Sequence, residues 1–244
     1  MNRHQILELY MILGGIPYYL DMLRKDLPLT KNIDNLFFKE NANLKTEYEF
    51  LFRSLFKDSK NYRKVVEALS EKKKGLSREE IKEATHIKEG GTLTEILSNL
   101  TQCDFVREYN AIGKEKRDSL FQLTDLFTLF YLNFVQKGSS QDESFWSNFA
   151  FTGHKNSWAG GQIDMLIDRN DEVINICEIK FSSDEYAITD AYEETLRKRA
   201  SLFKKVTKTK KALQHTFITT YGLKQNKYSG MIQSEVTMDD LFQL

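Results

Sequence analysis

Residues 162–181, QIDMLIDRNDEVINICEIKF, restrict the fold of this chain more than any other segment. Two apolar runs, 162–168 and 173–181, flank the polar tetrapeptide Arg169-Asn170-Asp171-Glu172. Short runs rich in Ile and bounded by turn residues read as strands, and so short a connection makes them an antiparallel hairpin. Asp164 falls on the first strand, and Glu178-Ile179-Lys180 lies on the second. Alternation along a strand puts Glu178 and Lys180 on one face, and the hairpin brings Asp164 close to Glu178. Neighbouring carboxylates repel unless a cation sits between them, and hard oxygen ligands suit Mg²⁺ or Mn²⁺. Lys180 beside them is placed to orient a water and offset charge on a phosphate. The expectation is metal-assisted phosphodiester hydrolysis, with Asp164, Glu178 and Lys180 catalytic and Asp164 and Glu178 holding the metal. A solvated Glu–Lys pair on a sheet edge is the competing reading. Similar pairings occur at Glu71-Lys72-Lys73 and Glu80-Ile81-Lys82 within helical patterns, so spacing alone leaves both open.

The preceding chain is helical in period. Ile6, Leu9, Tyr10 and Leu13 predict one apolar helix face, broken by Gly14-Gly15-Ile16-Pro17, where Pro17 opens the next helix. Leu36-Phe37-Phe38 and Phe50, Leu51, Ser54 and Leu55 mark two further short helices. From residue 60 the order is more specific. Val65, Val66 and Leu69 share a helix side, and Ser77-Arg78-Glu79-Glu80 is a capping-box start for a second helix. A third helix from Thr92 carries Leu93, Ile96, Leu97 and Leu100. Strand-like runs at 105–109 and 119–123 follow, joined by a charged tip at 112–118. Three helices and a β-hairpin are the layout of a winged helix. The apolar stretch 125–135 predicts a helix joining this unit to the next. Beyond the 162–181 hairpin come a polar helix at 189–206, strands at 216–221 and 231–237, and a closing helical turn at 238–242.

Charge and cysteine usage limit the partners. The 35 Lys and Arg equal the 35 Asp and Glu, which excludes a uniformly basic nucleic-acid coat and leaves local patches. The sharpest runs from Arg197 to Lys211, eight cations in fifteen residues without an acid. Arg197, Lys204, Lys205 and Lys208 fall on overlapping helix faces and are candidate phosphate contacts near Asp164. A solvated helix face balanced by Asp190, Glu193 and Glu194 is the alternative. The wing tip offers Lys114, Lys116 and Arg117, diluted by Glu115 and Asp118, while the third helix has no Lys or Arg. Two isolated cysteines, Cys103 and Cys177, support neither a disulfide framework nor a zinc cluster and fit a reducing cytoplasm. No apolar run approaches the length of a membrane span, and no secretory leader is evident, so a membrane partner is not expected.

Asp164 followed by Glu178-Ile179-Lys180, a helix and two more strands resembles the PD-(D/E)XK nuclease-like fold. The order of parts is similar to the C-terminal half of the archaeal-type AAA ATPases also found in bacteria. Those chains carry a P-loop ATPase, a helical lid, a winged helix and a PD-(D/E)XK-like domain. Residues 12–20, ILGGIPYYL, resemble the lid motif in which a glycine pair precedes Pro and an aromatic. Gly90-Gly91-Thr92-Leu93 resembles the winged-helix segment, and Phe145-Trp146 and Trp158 resemble the approach to the nuclease-like domain. The resemblance implies an α+β protein in three parts. These are a helical ATPase-lid-like segment at 1–59, a winged helix at 60–137, and an incomplete mixed α/β restriction-endonuclease-like domain at 138–244. It implies Mg²⁺ as cofactor, nucleic acid as partner, and a protein partner such as the missing ATPase core.

Two departures qualify it. The chain contains no Gly-x-x-x-x-Gly-Lys-Ser/Thr, so no ATP site and no ATP hydrolysis by this chain are expected. The nuclease-like fold also opens with a glutamate-bearing helix and a first strand, and Trp158-Ala159-Gly160-Gly161-Gln162-Ile163-Asp164 leaves room for neither. The expectation is that Gly160 and Gly161 straddle a missing segment, which leaves the third acidic ligand without a candidate. Three functions remain: a nucleic-acid-associated module with a nuclease-like site, a non-catalytic interaction scaffold, and a winged-helix DNA-binding regulator.

Overall fold

Helix α1 (Arg3–Leu13) begins at Asn2, whose side chain accepts from the Gln5 amide at 2.9 Å while Gln5 accepts from the Asn2 amide at 3.1 Å. It ends on Gly14 in the left-handed region, and Pro17 then opens α2 (Pro17–Asp21). The computed structural model describes residues 2–72, 75–87, 90–109, 119–137, 156–158 and 161–243, and it separates into two units, Met1–Ala150 and Phe151–Leu244. The described residues form a mixed α+β protein.

In the first unit α3 (Leu29–Ile33) runs into a π-helical turn at Asp34–Phe38, and α4 (Glu47–Leu55) and α5 (Ser59–Ser70) follow. Strand β1 (Leu76–Ser77) leads into α6 (Arg78–Thr85) and α7 (Gly91–Gln102), and then into β2 (Val106–Tyr109) and β3 (Leu120–Leu123). The capping box forms as the sequence predicts: Ser77 Oγ accepts from the Glu80 amide at 3.2 Å, and Glu80 accepts from the Ser77 amide at 2.8 Å. The sheet order is β1-β3-β2, antiparallel throughout. Helix α8 (Leu126–Phe130) continues as a π-turn at Tyr131–Val135.

Segments 1–59 and 60–137 share one core. Tyr19 packs against Phe127 at 4.9 Å, Phe37 against Phe130 at 4.9 Å, Phe52 against Phe105 at 5.0 Å and Tyr48 against Tyr131 at 5.0 Å. The stretch 125–135, expected as a connecting helix, is therefore central to this core, with Phe127, Phe130, Leu132 and Phe134 buried. Two apolar faces are rotated from the expected ones. In α1 the buried stripe is Leu9, Ile12 and Leu13, with Ile6 and Tyr10 exposed; in α4 it is Tyr48 and Phe52, with Phe50 and Leu55 exposed.

In the second unit β4 (Asn156–Trp158) pairs antiparallel with β5 (Gly161–Ile163). A four-stranded sheet then runs β6 (Met165–Asp168), β7 (Val173–Lys180), β8 (Ala212–Thr219), β9 (Ser234–Thr237). The β6–β7 pair is antiparallel, and β7–β8–β9 is parallel. A parallel pair needs a crossover, and α9 (Asp190–Thr207) provides it between β7 and β8. Its Leu196 joins Ile188, Phe217 and Leu223 in a small core.

The sequence is corrected here at two points. The strand expected at 162–168 is two strands, because β5 turns to pair with β4 while β6 pairs with β7, so Asp164 sits at the bend between them. The expected lack of room for a strand before Asp164 does not hold either, since Asn156–Trp158 supplies one. Gly160, and with it the expected break before Gly161, lies outside the described residues, as do Phe145-Trp146 and the wing-tip residues Lys114, Lys116 and Arg117. No described helix is long and apolar enough to cross a membrane.

Candidate active site

The pairing of Met165 with Cys177 makes Asp164 and Glu178 the next opposed positions along the β6–β7 ladder. Glu178 lies inside the apolar strand β7 and is fully buried, at 0% exposure, and Asp164 is buried at the bend. Lys180, two residues beyond Glu178, shares its face and returns toward both acids. Its Nζ lies 3.3 Å from Glu178 Oε2 and 3.8 Å from Asp164 Oδ2. The Asp164 carboxylate is held in turn by the backbone amide of Ile179, which donates to Oδ2 at 3.0 Å. The three residues singled out in the sequence are thus in one place, and Lys180 remains 23% exposed there.

Two residues that the sequence did not single out complete the cluster. From α9, Arg199 donates from Nη1 to Glu178 Oε1 at 2.7 Å, and the Tyr192 hydroxyl donates to Glu178 Oε2 at 2.5 Å. Lys180 Nζ also lies 4.9 Å from the centre of the Tyr192 ring. Two acids and two cations leave no formal net charge, which is how buried charge is tolerated. Burial and then the Glu178 carboxylate push the Tyr192 phenol far above its ordinary range. Burial pulls the Arg199 guanidinium down, but attraction to Glu178 outweighs it and leaves Arg199 raised. A signal for this pair did exist. Tyr192, Leu196, Arg199 and Phe203 fall at i, i+4, i+7 and i+11, the spacing of one helix face. An arginine on an otherwise apolar stripe requires a buried acid opposite, and Glu178 is the acid set within an apolar strand.

Other polar groups lie near the cluster. Burial, followed by the Glu178 charge, raises the Cys177 thiol to about 11, so it is a protonated, unreactive thiol at neutral pH. His215, paired in register with Ile176, is 8% exposed and its Nδ1 has no hydrogen-bond partner among the described residues. On the other face Asn175 donates to Thr216 Oγ1 at 2.8 Å, and its own Oδ1 finds no partner among the described residues.

The basic run divides. Arg199 enters the cluster, Arg197 pairs with Glu193, Lys198 with Glu194, and Lys211 with Asp168 at 2.7 Å. Lys204, Lys205 and Lys208 are exposed at the C-terminal end of α9, where Lys208 caps the helix in the left-handed conformation. That end lies near the start of β8, whose Ala212 is in register with Val173. Val173 is seven residues from Lys180 along β7, roughly 23 Å at 3.3 Å per residue. Along α9 itself Lys204, Lys205 and Lys208 follow Arg199 by roughly 8–14 Å, and no described contact brings them to the acids.

The donors suit a divalent cation. Mg²⁺ usually keeps several waters and takes one or two carboxylates together with substrate phosphate oxygens. Asp164 and Glu178 provide two carboxylates, and the Lys180 ammonium already bridges them as a cation does. No group of three or more His, Cys, Asp or Glu side chains able to hold a metal occurs among the described residues.

No family model matches this sequence. It is 27% identical over 133 residues to the uncharacterized protein MJECL04 of Methanocaldococcus jannaschii, in an alignment covering 54% of this chain and 29% of that protein. The matched region thus spans less than a third of that relative's length. No solved structure matches.

Proposed function

We propose that this protein is a nucleic-acid-associated module whose C-terminal unit is a PD-(D/E)XK nuclease-like domain with an Mg²⁺-dependent phosphodiesterase site. The observation that carries this reading is the placement of Lys180 Nζ between Glu178 Oε2 and Asp164 Oδ2. In this reading Asp164 and Glu178 hold the cation, which supplies Lewis-acid polarisation of a phosphate oxygen. Lys180 orients the attacking water and donates to the phosphate oxygen that gains charge. The Ile179 amide keeps Asp164 in place. Resemblance of the N-terminal unit to an ATPase lid and winged helix supports association with nucleic acid or with a separate ATPase core. The winged-helix part of this reading rests on the order α5-β1-α6-α7-β2-β3 and on the sheet order β1-β3-β2.

The complete burial of Glu178 and its three partners favours a second reading, a non-catalytic scaffold in which the same cluster only pins α9 to the sheet. A nicking assay on single- and double-stranded DNA and RNA separates the two. Mg²⁺-dependent cleavage that disappears in Asp164→Ala and Lys180→Ala supports the enzyme. Absence of cleavage by the unaltered chain on every substrate supports the scaffold.

A further inference from the structure

We propose that Tyr192 and Arg199 are positioning residues that fix the Glu178 carboxylate, so that helix α9 sets the cation affinity of the site. This inference rests on the reading of Asp164 and Glu178 as cation ligands. The backbone of Glu178 is fixed by pairing in register with Phe217 of β8, but its carboxylate lies at the end of a flexible side chain. Within β7 the described contacts give that end only the Lys180 ammonium, 3.3 Å from Oε2. The hold comes from the helix. Arg199 grips Oε1 at 2.7 Å and Tyr192 grips Oε2 at 2.5 Å.

Seven residues separate the two on α9, about 10 Å along its axis, so the carboxylate is gripped by side chains from two successive turns. Both are themselves held. Tyr192 sits in the small core with its ring edge-on to Phe217 at 6.5 Å, and Arg199 follows Leu196 on the buried stripe. An oxygen of a carboxylate has two lone-pair sites. Tyr192 takes one on Oε2, and Lys180 stands at 3.3 Å on the same atom, on the side shared with Asp164 Oδ2. Asp164 and Glu178 would hold a cation on the side that Lys180 now faces. Arg199 and Tyr192 keep the Glu178 carboxylate oriented toward that side.

Groups that orient a metal ligand typically account for about 10–100-fold in metal affinity. The test is Mn²⁺ binding by the full chain, followed through the loss of the free-ion electron paramagnetic resonance signal. Tyr192→Phe, Arg199→Lys and Arg199→Met are compared with Asp164→Asn as the ligand control. Tyr192→Phe and Arg199→Met are expected to weaken Mn²⁺ binding about 10–100-fold, with Arg199→Lys in between. Tyr192→Phe removes a single oxygen and keeps the ring packing, so it carries the test should Arg199→Met fail to fold. Mn²⁺ binding that is lost in Asp164→Asn but unchanged in Tyr192→Phe and Arg199→Lys overturns this inference and leaves the enzymatic reading standing. A wild-type chain that binds no Mn²⁺ and cleaves nothing overturns the enzymatic reading and this inference with it.

Discussion

Arg199 and Glu178 meet at 2.7 Å between a helix and a central strand, with the acid at 0% exposure and the arginine side chain at 22%. An ion pair this deep adds little over a well-packed apolar pair, but breaking it strands the remaining charge. Arg199→Met leaves the Glu178 carboxylate with Tyr192 and Lys180 alone. The expected cost is about 3 kcal/mol of unfolding free energy. The double variant Glu178→Gln/Arg199→Met is expected to recover part of it, because the stranded charge is then gone. Urea denaturation of the four members of the cycle measures the coupling, and additive effects of the two substitutions would refute the pairing.

The exposed lysines at the end of α9 lead to a different expectation. Lys204, Lys205 and Lys208 follow Arg199 on α9 by five to nine residues, roughly 8–14 Å along its axis, and on the nuclease reading they would meet the nucleic acid outside the acidic cluster. Any contact they make with a nucleic acid is the same in the ground and transition states. Replacing all three by Gln is expected to raise KM and flatten the salt dependence of binding while leaving kcat unchanged. A fall in kcat at saturating substrate would show that they act in the chemistry itself.

Much of this architecture was legible because it depends on local rules. The Gly14–Pro17 break, the Ser77–Glu80 capping box and the β6–β7 hairpin each follow from a few adjacent residues, and each forms. Legibility stopped where tertiary competition decides. Ile6 and Tyr10 fit the apolar periodicity of α1, yet the chain buries Leu9, Ile12 and Leu13, because α1 packs against α8 in the shared core. Asp164 read as mid-strand, but pairing of β5 with β4 bends the chain there. In the site, Asp164, Glu178 and Lys180 were visible through strand alternation alone. Arg199 was hidden inside a run of eight cations, and what distinguishes it from Arg197 and Lys198 is its position on the Leu196–Phe203 stripe.

His215 makes stability depend on pH in a definite direction. Burial lowers its pKa below the ordinary 6.5, with the Glu178 charge offsetting part of that and the Arg197 charge adding to it. Below pH 6.5 the unfolded chain therefore takes up a proton at this histidine that the folded chain does not. The contribution is fully present above 6.5 and is lost as pH falls from there toward the folded-state value, at up to about 1.4 kcal/mol per pH unit. His215→Leu is expected to flatten the stability profile in that window, and it also removes an imidazole nitrogen that has no partner among the described residues. Denaturation curves above and below pH 6.5 test this. An unchanged slope would mean that His215 does not titrate differently in the two states.

Gly75 tests whether the short strand β1 anchors the N-terminal unit. Its φ is +84°, a left-handed conformation that costs an L-residue about 1–2 kcal/mol. A Cβ at this position would lie 2.5 Å from the Phe121 carbonyl oxygen, and that oxygen belongs to the backbone of β3 and cannot swing aside. Phe121 is the register partner of Leu76, so any retreat of β3 breaks the β1–β3 pairing that begins one residue later. Overpacking of this kind adds about 1–3 kcal/mol. Gly75→Ala is therefore expected to destabilise the unit by roughly 2–5 kcal/mol, the sum of the two. Gly91→Ala supplies the control, since no described residue lies within 4 Å of its added Cβ and its φ is not left-handed. Alanine replaces glycine there at an N-terminal helix position and is expected to leave stability unchanged or slightly raised. Thermal unfolding of the two variants side by side decides the matter. Equal melting temperatures would mean that β1 is dispensable and that the core built around Phe37, Phe52 and Phe127 holds this unit without it.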